Sequence, residues 1–333
     1  MVWTPLHAKI HRTIKSRYLF KHQERLLVAV SGGQDSLCLI KLLLDLQPKW
    51  SWHIGIAHCD HRWRDDSQAN ANHVENLAKN WGVDFYLETA KEPVNSEAAA
   101  RDWRYQVLNA IAQKYNYQYI VTGHTASDRA ETLLYNLMRG TGADGLQALT
   151  WQRPLSEKVV LIRPLLEITR QQTGQFCQDF QLPIWEDSTN QDIEYSRNRI
   201  RQELIPYLQT NFNPKVESAL AQTAELLQAD VAYLEQAAQQ LREAATMGSR
   251  EWGVGSGDIV KLNRRVLQKA PIALQRRVMR QILLKILPDA PNFEHIEKLT
   301  ALIIAPNRSQ TDPFPGGAIA QVQGDWILIK YEA

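Results

Sequence analysis

The sequence predicts an α/β protein: a parallel sheet with helices on both faces, followed by a smaller, mainly helical C-terminal domain that ends in a β-hairpin. Three observations carry this. Short apolar runs alternate with amphipathic stretches through the first two hundred or so residues. The first of those runs breaks into a glycine-paired loop ahead of an apolar helix. Beyond Asn213-Pro214 long helical patterns replace the alternation.

The chain has 333 residues, 44% hydrophobic and 22% charged, enough for two separate cores. No apolar run approaches the ~20 residues of a membrane helix. The N-terminus has no apolar stretch followed by a small-residue cleavage site, so the expectation is a cytoplasmic protein without a membrane partner. Three cysteines, Cys38, Cys59 and Cys177, form no CxxC and fit a reducing compartment.

Taken in order, residues 1–24 read as a polar, helical opening. LLVAVS (26–31), HIGIAH (53–58), VDFYLE (83–88) and YQYIVTG (117–123) read as strands, separated by helical patterns at about 35–46, 66–81, 96–115 and 127–139. VVLIRPLL (159–166) adds a strand and residues 169–180 a helix. Such alternation folds as a Rossmann-like parallel sheet. Residues 182–206 are polar and loop-rich, and Asn213-Pro214 marks a boundary between residues 1–213 and 214–333. Residues 215–246 and 271–287 follow as amphipathic helices, the second with Leu274, Val278, Ile282 and Ile286 on one side and Arg276, Arg277 and Arg280 on the other. GGAIAQV and WILIKY, around Gly324-Asp325, close the chain as a hairpin.

Ligands of open parallel sheets sit outside the carboxyl ends of the strands, which singles out SGGQDS, HCDHRWR and GHTASDRAET. The first is a phosphate cradle. Ser31, Gly32 and Gly33 leave the backbone bare for N–H groups to turn toward an anion, and the helix beginning near Asp35 aims its positive end there. There is no Walker lysine, so amides and hydroxyls must hold the phosphates while Asp35 faces a magnesium ion.

After the fourth strand, His124, Asp128 and Glu131 fall at i, i+4 and i+7 on one helix face, where they suit an ammonium group or a metal; helix capping by first-turn acids is the competing reading. His58 and His61 give only HxxH, weak evidence for zinc. Arg101 and Arg104, at i, i+3, either reach an anion or cover an apolar face and pair with nearby acids. Arg197, Arg199 and Arg201 either clamp phosphates or cover the domain joint. Residues 261–285 hold eight lysines and arginines and no acid, which suits phosphate backbones or, more simply, a solvated helix face.

Together SGGQDS, HCDHRWR, EAAARDWRY, GHTASDRAETLLYNLMRGTGADGL, RPLL and EDSTNQDIEYSRNRIR resemble, in order and spacing, the tRNA(Ile)-lysidine synthetases of the N-type ATP pyrophosphatase (PP-loop) group. The resemblance implies a catalytic domain over residues 1–213 and an appended tRNA-binding domain over 214–333. It implies that ATP adenylates the wobble cytidine of an isoleucine tRNA with a CAU anticodon, and that free L-lysine then replaces AMP at C2. Ser31, Gly32, Gly33, Gln34 and Ser36 would hold the ATP phosphates, and Asp35 would bind them through Mg2+. Asp128 and Glu131, with His124 alongside, would handle the lysine amine; Arg104 and Arg197 would contact ATP, tRNA phosphate or the lysine carboxylate. One departure stands out: where the family often carries paired acids, Ser127 replaces the first. The rivals are a PP-loop tRNA thiolase and a non-catalytic ATP-binding module that associates with RNA. The oligomeric state stays open, a homodimer included.

Overall fold

The structure, a computed structural model, describes residues 2–62, 66–92, 96–185, 196–246 and 258–331. It divides into two compact units, Met1–Gln228 and Ala229–Ala333.

The first unit runs α1 (Pro5–Ser16), β1 (Arg25–Ala29), α2 (Gln34–Trp50), β2 (His53–Asp60), α3 (Ser67–Trp81), β3 (Asp84–Thr89), α4 (Glu97–Lys114), β4 (Tyr119–Val121), α5 (Ala126–Met138) and α6 (Ala143–Leu146). It continues with β5 (Gln152–Pro154), β6 (Val160–Ile162), α7 (Arg170–Asp179), α8 (Ser196–Arg199), a π-helical turn over Ile200–Leu204, α9 (Ile205–Asn211) and the start of α10 (Val216–Thr246). The strands order as β3-β2-β1-β4-β6-β5, all parallel except β5, which pairs antiparallel with β6 at the edge. Sequence reading missed β5 because a three-residue QRP segment has no alternation to detect.

β1 shows how the sheet is buried. Leu26 and Val28 enter a core shared with α1, α2 and α7, while Leu27, on the opposite pleat, packs with Leu108, Ile111 and Ala112 of α4. All three β1 side chains are fully buried, and each contributes roughly 1.5–3 kcal/mol by leaving water. From β1 the chain winds outward through β2 to β3, then returns to place β4 on the other side of β1. That reversal opens a crevice between the carboxyl ends of β1 and β4.

The unit does not end at Asn213-Pro214. Val216 and Leu220 of α10 pack with Ala130, Ile200 and Ile205, which holds the first turns of α10 in the first unit. The remainder of α10 belongs to the second unit, with β7 (Asp258–Asn263), α11 (Arg264–Gln268), α12 (Ile272–Ile286), α13 (Phe293–Ala301), β8 (Ile319–Gln323) and β9 (Trp326–Tyr331). β8 and β9 form the expected hairpin around Gly324-Asp325, and β7 extends it to an antiparallel sheet of order β7-β9-β8. Val278, Met279, Ile282 and Leu283 of α12 pack against Leu262, Val322, Ile327 and Ile329 of that sheet. No helix among the described residues is long and apolar enough to cross a membrane.

Candidate active site

The loop after β1 is held by its own hydroxyls and by two neighbours. Ser36 Oγ donates to Gly33 O at 2.8 Å and accepts from Ser31 N–H at 3.2 Å. Asn70 Nδ2 donates to Ser31 O at 3.0 Å and Trp185 N–H to Gly32 O at 2.9 Å. Gly32 has φ +89°, and a Cβ there would lie 2.5 Å from Asn70 Oδ1, so glycine is required by the fold itself. Gly33 differs: its φ is −75°, and an added Cβ would meet only Ser31 Oγ at 3.5 Å. The space above Gly33 is open. The N–H groups of Gln34, Asp35 and Ser36 border it in the first turn of α2, without intrahelical partners. The residues therefore fit a phosphate chain.

The Gln34 side chain points elsewhere. Its amide donates to Arg170 O at 2.6 Å and Thr173 Oγ1 at 2.8 Å, so only its backbone N–H is available to the cradle.

β4 ends beside this loop. A Cβ on Gly123 would lie 2.9 Å from Asp35 O, so the close approach of the two strand ends needs glycine there. Thr125 caps α5 with a reciprocal capping box: Asp128 Oδ2 accepts from Thr125 N–H at 2.7 Å and Thr125 Oγ1 at 2.8 Å. The capping and site readings of this segment are thus both correct, because Asp128 caps with Oδ2 and turns Oδ1 to Arg170 at 2.9 Å.

Arg170 organises the pocket and was not among the sequence candidates. Its Nε donates to Asp35 Oδ2 at 3.1 Å, Nη1 to Glu131 Oε1 at 3.0 Å and Nη2 to Asp128 Oδ1 at 2.9 Å. One guanidinium therefore gathers three carboxylates from two helices. Thr173 Oγ1 also donates to Asp35. Arg201, the last arginine of the RNRIR run, makes a second fork onto Glu131, at 2.8 Å and 3.0 Å. Glu131 is completely buried. The signal for Arg170 was present: a cation at the first position of α7, after the Thr169 cap, opposes the helix dipole unless acids lie in front of it.

Ser127 accepts from Arg170 N–H at 3.0 Å and hydrogen-bonds Glu217 from α10. A carboxylate thus lies near Ser127, supplied by another helix.

The electrostatics follow from this packing. Burial works to raise the Asp128 pKa, but Arg170, His124 and the Thr125 hydrogen bonds outweigh it and bring it down to about 2. Asp35 is raised, chiefly by burial, with Arg170 opposing and Asp128 adding to the rise. His124 is pushed down to about 3 by burial and then by Arg163, with Asp128 opposing, so its ring is neutral at ordinary pH; its Nδ1 lies 2.8 Å from Thr122 Oγ1. Arg104 sits against His61 Nε2, 3.1 Å from Nη2, and Arg197 Nη2 donates to Thr132 Oγ1 at 3.3 Å. The charges of both reach His124. Of EDSTNQDIEYSRNRIR, residues 186–195 lie outside the described residues.

The basic segment behaves differently. Arg264 donates to Ile303 O and Ala305 O, completing the end of α13. Arg265 pairs with Asp325 at 2.7 Å, Arg276 forks onto Glu297 at 2.6 Å and 2.9 Å, and Arg277 meets Glu235 at 2.7 Å. Three of the eight cations of residues 261–285 thus meet acids from outside the segment.

An open phosphate cradle at a sheet switch point, without a Walker lysine and faced by clustered carboxylates, defines an ATP-using pyrophosphatase of the PP-loop class. Residues 4–208 match the PP-loop domain family and residues 262–325 the TilS substrate binding domain. The chain belongs to the tRNA(Ile)-lysidine synthase family. It is 78% identical to the tRNA(Ile)-lysidine synthase of Nostoc sp. over 99% of this chain and 98% of that one. It is 50% identical to that of Synechocystis sp., over 100% and 99%. The chloroplastic tRNA(Ile)-lysidine synthase of Zygnema circumcarinatum shares 36% identity over 90% of this chain and 80% of the relative. Among solved structures, the U34-tRNA thiolase NcsA from Methanococcus maripaludis superposes with TM-score 0.57 at 16% identity, over 67% of this chain and 78% of that one, a likeness of fold alone.

Proposed function

We propose that the chain ligates free L-lysine to C2 of the wobble cytidine in the CAU-anticodon isoleucine tRNA, in the cytoplasm, through an adenylated intermediate. The supporting observation is the open cradle above Gly33 beside an acid pocket whose carboxylates are already held by cations. The cytidine O2 attacks the α-phosphorus of ATP and pyrophosphate leaves. The lysine ε-amine then attacks C2, and AMP departs with that oxygen.

The loop supplies backbone N–H groups from Gly33 to Ser36 and the Ser31 and Ser36 hydroxyls to the phosphates, stabilising charge on the departing pyrophosphate. Among the described residues no cluster of three His, Cys, Asp or Glu side chains could hold a metal. Mg2+ fits such a site, because it uses one or two carboxylates plus phosphate oxygens, and Asp35 is the carboxylate at the loop. When bound, it would offset the phosphate charge. Asp35 would then give up its contact with Arg170.

Asp128 and Glu131 suit the lysine ammonium, which would take over contacts that Arg170 and Arg201 make. With its pKa brought down to about 2, Asp128 holds a cation well and takes a proton poorly. Its role is to bind and orient. Neutral His124, at the pocket wall, adds a hydrogen-bonding nitrogen without a further charge. Arg104 and Arg197 flank it as contacts for tRNA phosphate, ATP or the lysine carboxylate. The first compact unit would carry catalysis and the second would bind tRNA, with the boundary at Gln228 and not at Asn213-Pro214.

A thiolase reading finds little support in the cysteines. Cys38 and Cys177 are buried, and burial pushes the Cys59 thiol up to about 12. The deciding assay is incorporation of labelled lysine into a CAU-anticodon isoleucine tRNA transcript, with ATP and Mg2+, beside a control with a changed wobble base. Transfer should require the cytidine and release AMP; pyrophosphate release without lysine transfer would overturn the assignment.

A further inference from the structure

Around Tyr105 in α4, three guanidinium groups converge from three elements. Arg101 lies 5.7 Å and Arg153, from β5, 4.8 Å from the ring centroid. Arg163, just after β6, hydrogen-bonds the phenol and donates from Nη1 to Thr150 O at 2.7 Å. Arg163 is only 2% exposed, and its Nε is buried without a partner. Arg101 and Arg153 are exposed.

Among the described residues the cluster has no counter-charge. Among the described residues no carboxylate pairs with Arg101, Arg153 or Arg163. Arg129, equally buried, shows the usual solution, with Glu225 at 2.7 Å and Gln228 at 3.2 Å. A buried guanidinium without an acid is costly to keep, and two more beside it raise that cost by repulsion. The arrangement is relieved by an anion brought from outside, and guanidinium forks match phosphate oxygens.

We infer that Arg101 and Arg153, backed by buried Arg163 and braced on Tyr105, form a subsite for a phosphodiester of the tRNA anticodon loop. This rests on the function proposed above. The ATP phosphates have their own cradle after β1, formed by none of these residues, whereas an RNA loop presented to the wobble site carries further phosphates on either side. Arg101 and Arg153 contact the phosphate; Arg163 is a positioning residue that fixes Tyr105 and adds field. That field reaches His124, where Arg163 is the foremost charge holding the ring neutral, which joins the subsite to the pocket.

The test is the Arg101→Gln/Arg153→Gln double variant of the full chain, with folding checked by thermal melting. Binding of an anticodon stem-loop RNA is measured across a salt series. The variant should bind at least about tenfold more weakly, with the slope of log K against log salt flatter by roughly 1.4, or about 0.7 per lost contact on a single-stranded loop. The KM values for ATP and lysine should not move. An unchanged slope and affinity would overturn the inference, and so would a raised KM for ATP with RNA binding intact, which would make this a nucleotide site. Wild-type protein that binds the stem-loop but transfers no lysine would sink the function reading alone.

Discussion

Two arginine-rich regions of this protein look alike in composition and differ in physics. In the pocket, Arg170 and Arg201 hold Asp35, Asp128 and Glu131, acids remote from them in sequence, and the ion pairs reach a fully buried carboxylate. On α11 and α12, Arg265 and Arg276 pair with Asp325 and Glu297 at the surface. Solvent makes the difference. A pair around a buried carboxylate is expensive to break from one side, because the remaining charge cannot rehydrate. An exposed pair exchanges its partner for water, or for a phosphate, at little cost.

The largest expected effect breaks the buried side. Arg170→Met leaves Asp35 and Asp128 without their hydrogen-bonded guanidinium and Glu131 with Arg201 alone, and should lower unfolding stability by about 3–5 kcal/mol in denaturant titration; a loss no greater than that of a surface pair would erase the contrast. Next, Asp35→Ala removes one acid while Arg170 keeps two. Pyrophosphate release should fall at least about a hundredfold with cooperative unfolding retained, and near-normal turnover would remove Asp35 from the site.

The two loop glycines sharpen the distinction between folding and binding. Gly32→Ala should cost about 1–3 kcal/mol of stability, since φ is positive and Asn70 blocks the Cβ. Gly33→Ala should leave stability alone and raise the KM for ATP at least about tenfold by filling the cradle. Equal melting temperatures for the two variants would refute this.

A smaller effect comes from His124, lowered from 6.5 to about 3. The unfolded chain takes up a proton there between those values and the folded one does not, so stability is complete above pH 6.5 and declines as pH falls toward 3. His124→Gln should flatten that decline in pH-dependent melting. Smallest of all, Arg276→Gln should leave the melting temperature unchanged, as exposed pairs contribute little. If its tRNA affinity and salt slope are also unchanged, Arg276 serves neither folding nor RNA binding.

Much of the site was legible because its parts are local. The strand, glycine loop and helix of residues 26–46 are contiguous, and Thr125 with Asp128 is a capping box that any reader of the sequence can mark. Arg170, Arg201 and Glu217 were harder, since nothing near them in sequence says which acids or hydroxyls they will meet. β7 was overlooked because its residues were read as part of a basic stretch, and its pairing partner β9 lies some sixty residues on.

By itself the sequence determined the α/β alternation, the glycine loop after β1, the placing of Asp128 and Glu131 on one helix, and the closing hairpin, whereas His124, expected on that helix, lies just before its Thr125 cap. All of these depend on short-range periodicity, backbone freedom and capping. The tertiary structure alone decided which charges are neutralised: that Arg170 gathers three acids, that Arg277, Arg276 and Arg265 meet Glu235, Glu297 and Asp325, and that Arg163 is buried with none among the described residues. Coulomb energy depends on distance and on access to water, and neither is written in the order of residues along a chain.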